Sequence, residues 1–144
     1  KLVSHQSSNN LQSPNNEHGA VYGALTDRKI SKDTAQKYGV KVVHDSAGNV
    51  IQHLYPLFNL NEQAALKIRY VKDKNFSFRG TPEGTGLFGE QLFKRGKYIT
   101  ITEGECDAMA GFELFGSKYD VVSIKRGCQG AVKDVKESLE FLEQ

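Results

Sequence analysis

At 144 residues, with 38% apolar and 25% charged side chains, the chain is long enough for one ordinary domain or two small subdomains sharing a core, and its composition is not that of a disordered chain. No apolar run approaches the roughly 20 residues that cross a bilayer, and no basic-then-apolar leader opens the sequence, so no membrane partner and a cytoplasmic location are expected. The net charge of +2 neither selects nor excludes nucleic acid, while Cys106, Cys128 and the four histidines (His5, His18, His44, His53) lack disulfide-framework or zinc-ligand spacing and read as free thiols and surface or loop imidazoles.

Residues 1–17 (KLVSHQSSNNLQSPNNE) carry too little apolar surface to order themselves and are expected to form a flexible arm. In YGALTDRKISKDTAQKYGV, Ser31 can accept an orphan amide at a helix start and Gly39 can supply the stop, so a short helix is predicted between them. VKVVHD and NVIQHLYPLF alternate apolar with polar residues around SAGN, which predicts two antiparallel strands joined by a tight turn. ALKIRYVKDKNFSFRG reads as a third strand in which Lys67, Arg69, Lys72, Lys74 and Arg79 stand against one acid, Asp73, with Tyr70, Phe76 and Phe78 interleaved. TPEGTGLFGEQLF is a glycine-rich loop running into a helical turn, followed by a polar turn at 94–97.

The pattern then changes. YITIT (98–102) is a β-branched run suited to a buried strand, and EGECDAMAGFELFG follows with Ala108, Met109, Phe112 and Phe115 at helical spacing before Gly116. YDVVSI reads as another buried strand, RGCQGA as a turn, and VKDVKESLEFLEQ as an amphipathic helix with Val132, Val135, Leu139 and Leu142 on one stripe. Strand, helix, strand, helix implies a parallel sheet, so the fold class is α/β: an α+β subdomain over 18–96 followed by a parallel-sheet subdomain over 97–144.

Glu103 falls where a strand ends and a helix begins, the position at which open α/β sheets present ligand-binding residues. Glu105 and Asp107 follow within the same turn. Three carboxylates this close repel unless a divalent cation or a basic partner neutralises them, so the cluster is either a metal site or a solvated helix start complementing the macrodipole. On the basic strand, five cations against one acid within 13 residues favour phosphate contact over a solvated face. Its aromatic residues can stack on bases or pack inward; Phe78 is assigned to the core and Phe76 is left open between the two.

ITITEGECDAM resembles the first motif of the TOPRIM fold, a strand entering an acidic turn written TEGxxD, found in DnaG-type primases, topoisomerases and related nucleases. Together with YGALTDRKIS, KIRYVKDKNF, LFGEQLF and VVSIKRGCQGA in that order, it resembles the primase region of the bifunctional DNA primase-helicases of T-odd phages, related to the mitochondrial helicase Twinkle, over about residues 19–144. The resemblance implies a partial TOPRIM fold over 97–144 with Glu103 as catalytic glutamate and metal ligand, Glu105 and Asp107 beside it. It implies that Lys67, Arg69, Lys72 and Lys74 hold nucleoside triphosphate or primer-template. Arg28 is the member of the opening motif, with Tyr22 and Leu25, expected to touch phosphate, and Gly127, in the loop after the second TOPRIM strand, is implied as a further nucleotide- or nucleic-acid-binding position. The implied reaction joins a ribonucleotide 3′-hydroxyl to the α-phosphate of an incoming NTP and needs Mg²⁺ or Mn²⁺ held by carboxylates, with cations facing the phosphates and no protein nucleophile. Single-stranded DNA template, NTPs and RNA primer are the implied ligands, and a helicase domain and a zinc-binding domain are implied in the parent protein.

The second TOPRIM motif, DxD, does not occur in the sequence, nor do a four-cysteine zinc module or a GxxxxGK[ST] loop. The chain therefore reads as a fragment, expected to bind Mg²⁺ weakly and to make little or no primer alone. A TOPRIM nuclease or topoisomerase-like fragment, and a non-catalytic nucleic-acid-binding module, are the alternative readings.

Overall fold

The structure, a computed structural model, describes residues 17–94 and 96–144; the arm expected over 1–17 lies, up to residue 16, outside the described residues. A 3-10 turn at Thr26–Arg28 is closed by backbone bonds between Leu25 and Ile30 in both directions (3.1 and 3.2 Å), which plants those two side chains in the core and leaves Asp27 and Arg28 at the tip. The short helix α1 (Lys32–Lys37) forms as expected: the Ser31 hydroxyl accepts the Thr34 amide at 3.2 Å, and Gly39 at φ +73° ends it.

Four antiparallel strands follow, β1 (Lys41–His44), β2 (Val50–Asn59), β3 (Glu62–Tyr70) and β4 (Phe76–Gly80), paired in chain order. The Asp45 carboxylate shapes the first turn by accepting the Ala47 and Asn49 amides at 2.9 and 2.8 Å. The single basic strand expected across 65–80 is corrected to two. The polar run 71–75 reverses the chain, with Lys74 in the left-handed region at φ 55° and the Tyr70 amide donating to the Asn75 carbonyl at 3.0 Å. Register then sorts the side chains. His53 lies opposite Arg69, Tyr55 opposite Lys67, Phe78 opposite Lys67 and Phe76 opposite Arg69. Because directly opposed residues share a face, these six project to one side of the sheet, while Leu54, Leu66 and Ile68 pack on the other.

The second half contains β5 (Ile99–Thr102), α2 (Glu105–Leu114), β6 (Asp120–Ser123), α3 (Ala131–Glu137) and α4 (Leu139–Leu142), with β5 and β6 parallel. Phe88 bridges Ser123 on the other side of β6 through two backbone bonds of 2.9 and 3.1 Å. Among the described residues β5 thus has a strand neighbour on one side only. The run YITIT is accordingly less covered than expected, with Ile101 40% exposed. The last helix also departs from expectation: it breaks at Ser138, Val132 and Leu139 are exposed, and Asp134 and Ser138 point inward instead. Their side chains are buried because they bond backbone amides, of Lys125 and Arg126 for Asp134 and of Leu87 for Ser138.

One core joins the two halves, running from Leu25, Tyr38, Val42 and Leu57 to Phe88, Met109, Phe112 and Val121. Tyr38 is its hinge pin: the ring stacks on Phe88 at 5.3 Å and the hydroxyl donates to the Val121 carbonyl at 2.7 Å. Gly89, at φ +87°, is required there, since a β-carbon would lie 2.7 Å from the Tyr38 ring. No helix among the described residues is long and apolar enough to cross a membrane.

Candidate functional site

The acidic turn is built by the end of β5. The Thr102 hydroxyl bonds the carbonyls of Gly104 (3.0 Å) and Val122 (3.2 Å), and the Ala108 amide donates to Gly104 to open α2. The three carboxylates then diverge. Glu103 and Asp107 are exposed, and Asp107 folds back over Gly104, so that a β-carbon at 104 would sit 3.0 Å from its Oδ2. Glu105 is buried.

Glu105 is met by Lys67. The ammonium donates to Glu105 Oε1 at 2.6 Å and to the Lys125 carbonyl at 2.8 Å, and lies 4.5 Å from the Phe76 ring centroid. Burial raises the Glu105 pKa above the usual carboxylate value, opposed by the charge of Lys67 and its hydrogen bond. Two expectations are corrected by this pair. Glu105 does not stand open beside Glu103 as a metal ligand, and Lys67 does not face solvent for a phosphate, because each neutralises the other at the sheet-helix contact. Breaking such a pair leaves a charge buried without its partner.

Arg69, two residues along the same strand face, is half-buried, and its guanidinium makes no ion pair or hydrogen bond among the described residues; its charge acts on Glu105, Cys106, Tyr55 and His53. Arg28 stands on the tip of its turn, 3.8 Å from Asp27, and its charge reaches His53 and Cys106. Gly127 takes φ +73° in the loop after β6, next to Cys128, whose thiol pKa is raised by a hydrogen bond to Glu103 and by the Glu103 charge. The fold therefore gathers Glu103, Asp107, Arg69, Arg28 and the Gly127 loop around the acidic turn, with the Lys67–Glu105 pair beneath. Lys72 and Lys74 are exposed in the 71–75 turn and make no ion pair among the described residues.

Reading the sequence missed a buried polar chain. His53, expected on a surface or loop, is fully buried on β2, with Nε2 2.9 Å from Asp27 Oδ1 and Nδ1 2.8 Å from the Tyr55 hydroxyl, which in turn lies 3.2 Å from Cys106 Sγ. Burial lowers the His53 pKa against the pull of Asp27, and burial raises those of Tyr55 and Cys106. The chain ties the Arg28 turn, the strand face and the first turn of α2 to one another. His53 and Tyr55 sit two apart in a predicted strand, which signals a shared face; their partners are not signalled.

A divalent cation takes oxygen ligands, and Mg²⁺ retains several waters with one or two carboxylates. Glu103 and Asp107 fit that donor set; Glu105 does not. No group of three or more histidine, cysteine or carboxylate side chains gathers into a metal cluster among the described residues. A groove of about 370 Å³ lies elsewhere, lined by Phe58, Glu90, Phe93, Lys94, Glu137 and Glu140 among others, and three glutamates against one lysine disfavour a phosphate there.

No family model matches the chain. It is 36% identical over 127 residues, 85% of its length, to a DNA helicase/primase of Enterobacteria phage T3, of which it covers 21%. It superposes on the primase fragment of the bacteriophage T7 primase-helicase with a TM-score of 0.76 at 36% identity, covering 87% of this chain and 52% of that one. It matches with a TM-score of 0.75 at 36% identity, over 87% of this chain and 63% of the other, a chain from a structure of the T7 lagging-strand DNA polymerase interacting with primase domains bound to an RNA/DNA hybrid and dTTP. The chain thus spans about a fifth of the T3 protein and between half and two thirds of the two T7 chains.

Proposed function

We propose that this chain, which belongs to the primase region of the phage-type primase-helicases, supplies part of the nucleotidyl-transfer site of a DNA primase that makes short RNA primers on single-stranded DNA. The observation that carries this reading is the exposed Glu103 carboxylate at a strand-to-helix turn, gathered with a half-buried Arg69 that has no carboxylate partner. A guanidinium left unpaired at the edge of a protein interior is suited to a ligand phosphate, which it can hold through two parallel hydrogen bonds.

In this reading Arg69 and Arg28 hold the phosphates of the NTP or the primer-template, and Lys72 and Lys74 add long-range attraction for the strand. Glu103, with Asp107, would hold Mg²⁺ or Mn²⁺. Such an ion, when bound, supplies charge neutralisation at the α-phosphate and acidifies the attacking hydroxyl. The Lys67–Glu105 pair fixes the basic strand against α2 and so sets the separation between the phosphate-binding and carboxylate sides. Helicase and zinc-binding domains of a parent protein, template and primer are the proposed partners.

The test is Glu103→Gln in the parent protein. Primer synthesis is expected to fall by about 100-fold or more, as when a charge-stabilising group is removed from a transition state. Undiminished synthesis would take Glu103 out of the reaction. A second reading, a binding module in which Glu103 is only a helix-start charge, is favoured by its position immediately before the N-cap of α2, where a carboxylate complements the helix dipole. It requires DNA binding by this chain that weakens with salt yet ignores both Mg²⁺ and Glu103→Gln.

A further inference from the structure

We propose that Phe76 is a base-stacking platform at the mouth of the acidic turn, holding the face of a nucleobase while Arg69 holds the attached phosphate. The inference rests on reading the site as one for nucleotides and goes beyond it by assigning where the base sits.

The two aromatic residues of β4 have different surroundings. Phe78 packs against the main core, whereas Phe76 is 47% exposed. A single exposed phenylalanine is unremarkable; its company distinguishes this one. Its ring is held edge-to-face by Phe78, with centroids 5.5 Å apart and planes at 78°, which fixes its orientation. The Lys67 ammonium, 4.5 Å from the ring centroid, is the same atom that lies 2.6 Å from Glu105, so the ring borders the first turn of α2. Directly opposite Phe76 in the ladder is Arg69, the half-buried guanidinium without an ion pair. Opposed side chains of an antiparallel pair start about 5 Å apart and project the same way, so an aromatic ring and a guanidinium are offered side by side. A nucleotide presents the matching pair, a base and its phosphate. Lysines at 72 and 74, in the turn that leads into β4, extend the positive surface along which a strand would run.

The base could come from a single strand or from a nucleoside triphosphate, and binding to this chain at low salt separates the two. The ligands are an oligothymidylate and an abasic oligonucleotide of equal length, and ATP beside inorganic tripolyphosphate. The proteins are the unaltered chain, Phe76→Leu and Phe76→Trp, each checked for an unchanged thermal midpoint. Phe76→Leu is expected to weaken a base-bearing ligand about 5- to 150-fold and to leave its base-free counterpart alone, while Phe76→Trp restores binding. Loss on the oligothymidylate assigns the platform to the strand; loss on ATP assigns it to the triphosphate. Equal effects on base-bearing and base-free ligands, or no effect on any, would overturn the proposal alone. If the unaltered chain binds none of the four ligands, the nucleotide reading falls and the proposal with it.

Discussion

Two clusters of opposite charges lie side by side, and only one of them is closed. In the first, Lys125 and Asp134 are fully buried: the Lys125 ammonium reaches the Thr85 carbonyl and Glu137 (2.8 Å). Arg126 bonds Asp134, Glu137 (3.0 Å) and the Pro82 carbonyl (3.2 Å), and Asp134 also accepts the Lys125 and Arg126 amides. Two cations and two anions satisfy one another and clamp the glycine-rich loop to α3. The second cluster, around the acidic turn, contains one satisfied pair, Lys67 with Glu105, and leaves Arg69, Glu103 and Asp107 without ion-pair partners among the described residues. The two are joined where Lys67 donates to the Lys125 carbonyl. Ion clusters of similar composition thus differ in whether the charges cancel within the protein: the closed one is scaffold, and the open one keeps charges that no ion pair among the described residues neutralises.

That contrast can be broken most severely at Asp134. Asp134→Ala would leave two buried amides without an acceptor and two cations sharing the single carboxylate of Glu137, and denaturant unfolding should show a loss of about 3–5 kcal/mol. At the acidic turn, Lys67→Met should cost somewhat less, roughly 3 kcal/mol, and Lys67→Met with Glu105→Leu should recover part of it, because the paired charges leave together. A double mutant that adds the two single losses would mean the pair is not coupled. Acid titration sharpens the difference. Hydrogen bonds from Lys125 and Arg126 outweigh burial and push the Glu137 carboxyl down to about 2. Its contribution is therefore complete above the unfolded value, about 4.5, and is lost as the pH falls toward 2, so Glu137→Gln should flatten the stability profile in that window. Glu105 is shifted upward, and its contribution runs the other way, present below the unfolded value and lost as the pH rises through the folded one. Smallest of all, Lys72→Ala should leave stability within about 0.5 kcal/mol and lower the salt dependence of DNA binding by about one counterion.

Local features were legible in the sequence and long-range pairings were not. Ser31 and Gly39 bound a helix through contacts within a few residues, and the strand-to-helix turn at Glu103 follows from a β-branched run meeting a helical pattern. The possibility that a basic partner neutralises the carboxylates was legible as well, but not that Lys67, 38 residues away, would choose Glu105. Composition made the basic segment look like one strand, although Asp73 and Asn75 favour reversal and Lys74 adopts the left-handed backbone there. At the last helix, an apolar stripe was counted inward where Asp134 and Ser138 turned out to face in. Unsatisfied loop amides decided that orientation, and no periodicity reveals them.

The polar chain from Asp27 to Cys106 has an orientation as well as a location. A carboxylate only accepts, so the neutral His53 ring must carry its proton on Nε2; Nδ1 then accepts from the Tyr55 hydroxyl, and the Tyr55 oxygen is left to accept from the Cys106 thiol. One ionised group on an exposed turn thereby dictates where every hydrogen sits along a path that ends between Glu105 and Asp107. The chain is a vector: its donors point from the helix toward the Arg28 turn, and a second proton on the imidazole would turn round only the Tyr55–Cys106 end, because Asp27 still accepts from Nε2.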